Sequence, residues 1–294
     1  MKKATSEVQY IDHMGSDLRV VDSARVSFAR DSISVGDGDE CHEYKINKLL
    51  TKVPVLKPRD VSLIRYLTLH DHWTPFGHAT IQFRIKAPVF VARQLVKHQV
   101  GGVWNEESRR YIDSEPEFYD MPVLRKKAEN KKQGSSDEPV DISPIYEMED
   151  VDGNCVLLPH EIEEEALETY KSLLSLGVAP EQARAYLPQS AMVNWYWTGS
   201  LAFFLRVINL RCKPDAQRET QEVASQISEV VRELFPVSWY FNSNKYELLR
   251  LKAQVEFLEQ WAASEQVPTE VLSKLQEVKD KYDSLYNPDV SVLY

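Results

Sequence analysis

The sequence predicts an α+β fold, a single sheet with long helices plus a C-terminal helical hairpin. Three observations carry this reading. In residues 79–86, ATIQFRIK, apolar and polar side chains alternate strictly, the period of a half-buried strand. After Pro159, and again after Asp215, apolar residues recur every three or four positions, the period of a helix that buries one face. In residues 245–294 that spacing narrows to two seams, Leu248, Leu251, Val255, Leu258 and Ala262, then Val271, Leu275, Val278, Tyr282 and Leu285. Joined near Pro268, they suit an antiparallel hairpin or a partner-binding arm.

In chain order, Asp17 is a good N-cap for a first helix running toward Phe28. Residues 31–45, with Gly36-Asp37-Gly38-Asp39, read as a loop. Asp60 can cap a second helix carrying Ile64, Leu67 and Leu69 that ends near His70-Asp71-His72-Trp73. Beyond the alternating strand, Pro88 suits the first turn of a helix from Val89 to about Gln99, on which Arg93 and Lys97, and Gln94 and His98, stand one turn apart. Gly101-Gly102 breaks it and leaves Asn105 to Tyr111 on a loop. Residues 125–138, RKKAENKKQGSSDE, hold no apolar side chain larger than alanine and read as a mobile surface insertion, set within 121–158. Asp150, Asp152, Asn154 and Glu161 fall at calcium-loop spacings, but Cys155 stands where that loop needs glycine, which favours a plain Asp-Gly turn. The helix after Pro159 has an acidic first turn, a stripe of Ile162, Ala166, Tyr170, Leu173 and Leu174, and Gly177 as terminator. Shorter helices are expected at 180–187 and 190–210; Asp215 then opens one that buries Val223, Ala224, Ile227, Val230, Val231 and Leu234 and stops at Pro236. The expected domains are residues 1–244 and a helical extension, 245–294.

The composition excludes some functions. Among 294 residues, 35 basic against 45 acidic side chains leave a net charge of −10, the wrong balance for a nucleic-acid or membrane-surface binder. No apolar run approaches the ~20 residues of a membrane span, and the N-terminus lacks a signal peptide's apolar core, so a soluble cytoplasmic protein is expected. Cys41, Cys155 and Cys212 are far apart and fit reduced thiols. The cations cluster: segments 84–111 and 184–218 each carry a local charge of +4. Two compact cationic segments in an acidic chain suit a small anionic ligand in a cleft.

The densest polar cluster is Arg93-Gln94-Leu95-Val96-Lys97-His98-Gln99, followed across the glycine break by Asn105-Glu106-Glu107-Ser108-Arg109-Arg110-Tyr111. Arginine grips phosphate with paired hydrogen bonds, serine and loop amides add neutral donors, and a carboxylate orients a sugar hydroxyl or a neighbouring cation. The combination reads as a nucleotide-phosphate site.

This stretch resembles the motif of the flavin-dependent thymidylate synthases, Arg-His-Arg, a spacer of about seven or eight residues, then Ser-x-Arg. Here it stands as Lys97-His98-Gln99, eight residues, then Ser108-Arg109-Arg110. Further matches follow in order: Ala24 to Phe28, His72 to His78, Ala87 to Gln94, Ala183-Arg184 with Leu187-Pro188, and Asn209-Leu210-Arg211 with Ala216-Gln217, spanning roughly residues 15–240. Both flanking arginines are replaced: Lys97 keeps the charge without the planar fork, and Gln99 keeps donors without charge. The insertion at 121–158 and the tail lie outside the resemblance.

The resemblance implies reductive methylation of deoxyuridylate (dUMP) to dTMP, with methylenetetrahydrofolate as one-carbon donor, FAD as flavin, NADPH as reductant, and a homotetramer. It implies flavin contacts from Thr74, Lys97, His98, Gln99 and Glu106, with Ser200 to Ala202 and Arg206 where further ones fall. It implies that Gln94, Lys97, Glu106, Glu107, Ser108, Arg109, Arg110, Arg184 and Arg211 hold deoxyuridylate, and that Arg211 is catalytic, stabilising charge that develops on the uracil ring.

Other readings of particular residues stand beside it. Ser108 could be a nucleophile, but phosphate contact or loop capping suits it better. Cys212 beside Arg211 suggests a thiolate, yet lacks a Pro-Cys-His setting. His70, Asp71 and His72 could serve a metal-dependent nucleotide phosphohydrolase, and the C-terminal hairpin a non-catalytic nucleotide-binding adaptor. Trp195-Tyr196-Trp197 reads as core rather than a stacking platform.

Overall fold

The computed structural model describes residues 1–28, 41–46, 49–112, 114–129, 134–148, 156–263, 268–289 and 293–294. The chain opens with strands β1 (Lys2–Ala4) and β2 (Glu7–Met14), helix α1 (Asp17–Arg25), strands β3 (Cys41–Ile46) and β4 (Leu49–Pro54), and helix α2 (Pro58–Leu69). Then come β5 (Thr80–Pro88), α3 (Val89–Leu95), β6 (Gly102–Glu106), β7 (Glu117–Tyr119), β8 (Arg125–Lys127) and β9 (Ser135–Pro139). The rest is α4 (Pro159–Ser175), α5 (Pro180–Ala183), β10 (Met192–Ser200), α6 (Leu201–Arg211), α7 (Arg218–Leu234), α8 (Pro236–Ala262) and α9 (Thr269–Tyr286). The largest sheet has the order β2-β5-β10-β6; β1 pairs with β7 in parallel, and β3–β4 and β8–β9 are antiparallel pairs. The fold is the expected α+β mixture, with three small sheets beside the main one.

The alternating segment is β5, and Ile81, Phe83 and Ile85 are fully buried while Arg84 faces out. Full burial of such a side chain contributes about 1.5–3 kcal/mol, so a strict alternation fixes which face turns inward. Several expectations change. Residues 190–210 are not one helix: the first half is β10, where buried Trp195 and Trp197 flank exposed Tyr196, a period of two. The helix after Pro88 ends at Leu95; the His98 N–H reaches the Leu95 carbonyl, and Gly101 takes φ +90°, so Lys97, His98 and Gln99 lie on a turn. Asn105 and Glu106 are not loop but the end of β6, which Trp104 anchors by stacking on Trp195 with ring centroids 4.3 Å apart. Within 125–138, read as a mobile surface insertion, β8 and β9 pair as a hairpin. Residues 41–45, assigned to a loop, lie in β3; residues 31–40 and the calcium-spaced Asp150, Asp152 and Asn154 lie outside the described residues.

Contacts divide the chain into two units. The first comprises Met1–Ile11, Gln82–Thr198 and Leu210–Gln226. In it, α4 buries Leu167 and Tyr170 but leaves Ile162 exposed, because the inward position belongs to Glu163, which pairs with Lys3. The second comprises Asp12–Ile81, Gly199–Asn209 and Ile227–Tyr294. There α8 packs against α2 and pairs with α9 as the expected hairpin, with Lys279 and Lys281 of α9 bridging to Glu259 and Glu247 of α8. The division expected at residues 244 and 245 falls inside α8, which runs unbroken from Pro236 to Ala262.

Neither Asp17 nor Asp60 caps its own helix. Asp60 sits inside the first turn of α2, paired with Arg25. Asp17 is buried and caps α8 instead: its carboxylate accepts the Val237 N–H at 2.8 Å, the Ser238 N–H at 3.1 Å and the Ser238 hydroxyl. Pro236 has no N–H to satisfy at the first helical position, so one carboxylate meets the next two amides that helix geometry leaves without partners.

Candidate active site

Two helix ends of the first unit meet at Arg211. It is the last residue of α6, where the aligned peptide dipoles favour a cation. Its Nη2 donates to the Gln94 carbonyl at 3.3 Å, one of the carbonyls that the end of α3 leaves without a helical partner. Its Nε donates to Nε2 of His98 at 3.0 Å. A guanidinium only donates, so His98 is held as a neutral imidazole with its proton on Nδ1. Among the described residues, two of the guanidinium's five N–H donors are used, which leaves three for a ligand.

Arg211 lines a cleft of about 600 Å³ together with Gln94, Asp215, Gln217 and, from the β8–β9 hairpin, Arg125, Gly134 and Ser135. A hydrogen-bonded chain links several of these residues. Thr220 Oγ1 donates to Gln94 Oε1 at 3.1 Å, Gln94 Nε2 donates to Gln217 Oε1, and Gln217 Nε2 donates to Glu219 Oε2 at 2.9 Å. Arg125 Nη2 closes the chain on Glu219 Oε1 at 2.6 Å. Burial alone would raise the Glu219 carboxyl, but the bonds from Arg125, the Glu219 N–H and Gln217 hold it below the usual carboxylate range. Arg125, Thr220 and Glu219 carry no local sequence signal for this role. Gln217 carried a signal in its pairing with Ala216, but was given no role.

The remaining expected residues are distributed as follows. Arg110 Nε donates to Ser108 Oγ at 3.1 Å, and Arg109 Nη1 to the Ser114 carbonyl at 3.0 Å, so the serine orients an arginine rather than standing next to a base. Glu107 is tied to Asn194 twice, through its N–H to the Asn194 carbonyl at 2.8 Å and through its carboxylate to Nδ2 at 3.1 Å. Glu106 accepts from Trp104 Nε1 at 3.1 Å. Lys97, Gln99 and Arg184 are exposed. Thr74, Ser200 and Arg206 belong to the second unit. There Thr74 opens a short 3-10 turn, Ser200 Oγ accepts the Phe203 N–H at 3.2 Å to cap α6, and Arg206 is exposed.

The competing sites have other occupations. The Asp71 carboxylate pairs with Lys245 and the His70 Nδ1 lies 2.9 Å from the Tyr66 carbonyl. Among the described residues no group of three His, Cys, Asp or Glu side chains could hold a metal. Burial pushes the Cys212 thiol up despite a hydrogen bond with Ser225, the reverse of what a thiolate nucleophile needs. Trp195 and Trp197 are core.

Residues 9–237 match the family model described as thymidylate synthase complementing protein. The chain belongs to this family. A flavin-dependent thymidylate synthase of Thermus thermophilus is 34% identical over 232 residues, covering 79% of this chain and 73% of that protein. The enzyme of the same name from Thermosipho africanus is 33% identical over 236 residues, covering 80% and 89%. Among solved structures, the UMP/dUMP methylase PolB from Streptomyces cacaoi bound with 5-Br UMP superposes with a TM-score of 0.62 at 26% identity, covering 83% of this chain and 97% of that one. The family match contains the variant motif, the cleft and Arg211, and ends before the second half of α8.

Proposed function

We propose that this chain is a flavin-dependent thymidylate synthase that methylates deoxyuridylate to dTMP, with methylenetetrahydrofolate giving the one-carbon unit, FAD as flavin and NADPH as its reductant, in a homotetramer. The observation that carries the reading is Arg211, a guanidinium that lines a polar cleft, is fixed by His98 and Gln94, and has three donors unspent among the described residues. The uracil ring is a poor carbon nucleophile, and negative charge develops on it when it is activated. A preorganised cation at the imide edge stabilises that charge without reorganising, which assigns Arg211 the catalytic role.

Deoxyuridylate is assigned to Gln94, Lys97, Glu106, Glu107, Ser108, Arg109, Arg110, Arg184 and Arg211. Arg110, oriented by Ser108, suits the phosphate, and the Gln94 amide suits a carbonyl or phosphate oxygen. The flavin is assigned to Thr74, Lys97, His98, Gln99, Glu106, Ser200 and Arg206. Within the first unit the donor set fits such a group: exposed Lys97 offers a cation for its diphosphate and exposed Gln99 a neutral donor. When bound and reduced, the flavin supplies the hydride that turns a transferred methylene into methyl.

The test is dTMP formation by the purified protein from dUMP, methylenetetrahydrofolate, FAD and NADPH, with each component omitted in turn. Product that needs the folate and the flavin supports the reading. A protein that forms no dTMP and takes up no flavin, judged by its visible absorbance, refutes it.

A further inference from the structure

The chain of hydrogen bonds along the cleft runs in one direction, and the direction has a physical origin. An ionised carboxylate can only accept. Glu219 therefore draws the nitrogen of Gln217 toward itself and leaves the Gln217 oxygen facing Gln94, which must then turn its own nitrogen to Gln217 and its oxygen to the Thr220 hydroxyl. Glu219 is only 3% exposed, and a carboxylate so buried stays charged only against a partner. That partner is Arg125, which is itself steadied by donation from Nε to Ser135 Oγ at 2.8 Å across the β8–β9 hairpin. Each of the two amide nitrogens carries a second hydrogen beyond the one used in the chain, and both glutamines line the cleft.

We propose that Arg125 and Glu219 are a positioning pair that fixes the polarity of the Gln217 and Gln94 amides, so that these two side chains meet a ligand as donors in a cleft that Asp215 also lines. Two such donors select substrate groups that present acceptor oxygens, the imide carbonyls or the phosphate of deoxyuridylate, and disfavour a donor facing them, such as the exocyclic amine of deoxycytidylate (dCMP). The inference rests on the cleft being the deoxyuridylate site. It gives a role in substrate choice to a hairpin that lies outside the motif-bearing segments.

The test uses the full-length protein and four substitutions. Glu219→Gln puts a group that can donate at the acceptor-only end, Arg125→Met removes the clamp, Arg125→Lys keeps its charge, and Gln217→Leu cuts the chain at an exposed residue while leaving the Arg125–Glu219 pair in place. Binding of dUMP, deoxyuridine and dCMP is measured by calorimetry, with a melting curve for each variant. The wild type is expected to prefer dUMP to dCMP, and Glu219→Gln, Arg125→Met and Gln217→Leu to lower that preference, or dUMP affinity, by about tenfold, the scale of one charge-assisted hydrogen bond. Arg125→Lys should restore most of it. If the amides read the uracil edge, dUMP and deoxyuridine weaken together; if they read the phosphate, deoxyuridine is unchanged. Folded variants that bind dUMP and dCMP within about twofold of the wild type overturn the pair's role. A wild type that binds no dUMP overturns instead the reading of the cleft.

Discussion

Arg211 and His98 stand 3.0 Å apart, Nε to Nε2, a permanent cation donating to a neutral ring. The pair joins the end of α6 to the turn that follows α3, and so joins the residue assigned to catalysis to the variant motif itself. It gives His98 a second duty beside the flavin contact implied by resemblance: holding the guanidinium plane.

Removing that acceptor should slow turnover. His98→Leu leaves Arg211 with one anchor, the Gln94 carbonyl, and is expected to lower kcat on the order of tenfold, while His98→Gln, which keeps an acceptor oxygen, recovers part of the loss. Turnover is to be expressed per bound flavin, read from absorbance. Normal turnover per flavin in His98→Leu contradicts the positioning role.

Asp17 makes stability depend on pH. Burial pushes its carboxyl up to about 6, outweighing the lowering effect of the donors from Ser238 and Val237. An unfolded aspartate titrates near 3.9, so the folded state holds this proton more tightly. The group's stabilising contribution is therefore full below about pH 4 and is lost as pH rises through about 6. Denaturant unfolding of the wild type and Asp17→Asn across this range should show the wild type losing stability relative to the variant as pH rises. A difference that is flat, or that grows in the wild type's favour, contradicts the assignment.

Gly199 is fixed by a neighbour. A Cβ there would run into Cδ1 of Phe203, a side chain only 1% exposed with no room to retreat. Gly199→Ala is expected to destabilise by about 1–3 kcal/mol, the usual cost of overpacking a core. Urea unfolding checks this, and an unchanged midpoint contradicts it.

What the sequence revealed depended on period and spacing. Strand β5 announced itself through alternation, and the α8–α9 seams through three-four steps. In β10 the same alternation was present in Trp195-Tyr196-Trp197, but an apolar run continuing into α6 masked it. The acidic caps were misplaced because Asp17 satisfies a helix more than two hundred residues away, a partner no local pattern can show. In the site, Gln94 and Arg211 stand in the short stretches that carry the family resemblance. Arg125 and Glu219 were not legible, since each gains its meaning from the other across 94 residues.

The most direct measurement is turnover at saturating deoxyuridylate for the wild type, Arg211→Ala, Arg211→Lys and Arg110→Ala. If Arg211 stabilises charge developing on the uracil ring, Arg211→Ala loses on the order of a hundredfold in kcat with flavin binding largely kept. Arg211→Lys recovers only part, because an ammonium cannot present two parallel donors. Arg110→Ala should raise KM for deoxyuridylate and leave kcat nearly intact, since a phosphate grip is made about equally in the ground and transition states. Near-normal turnover in Arg211→Ala, together with its loss in Arg110→Ala, contradicts the assignment of roles.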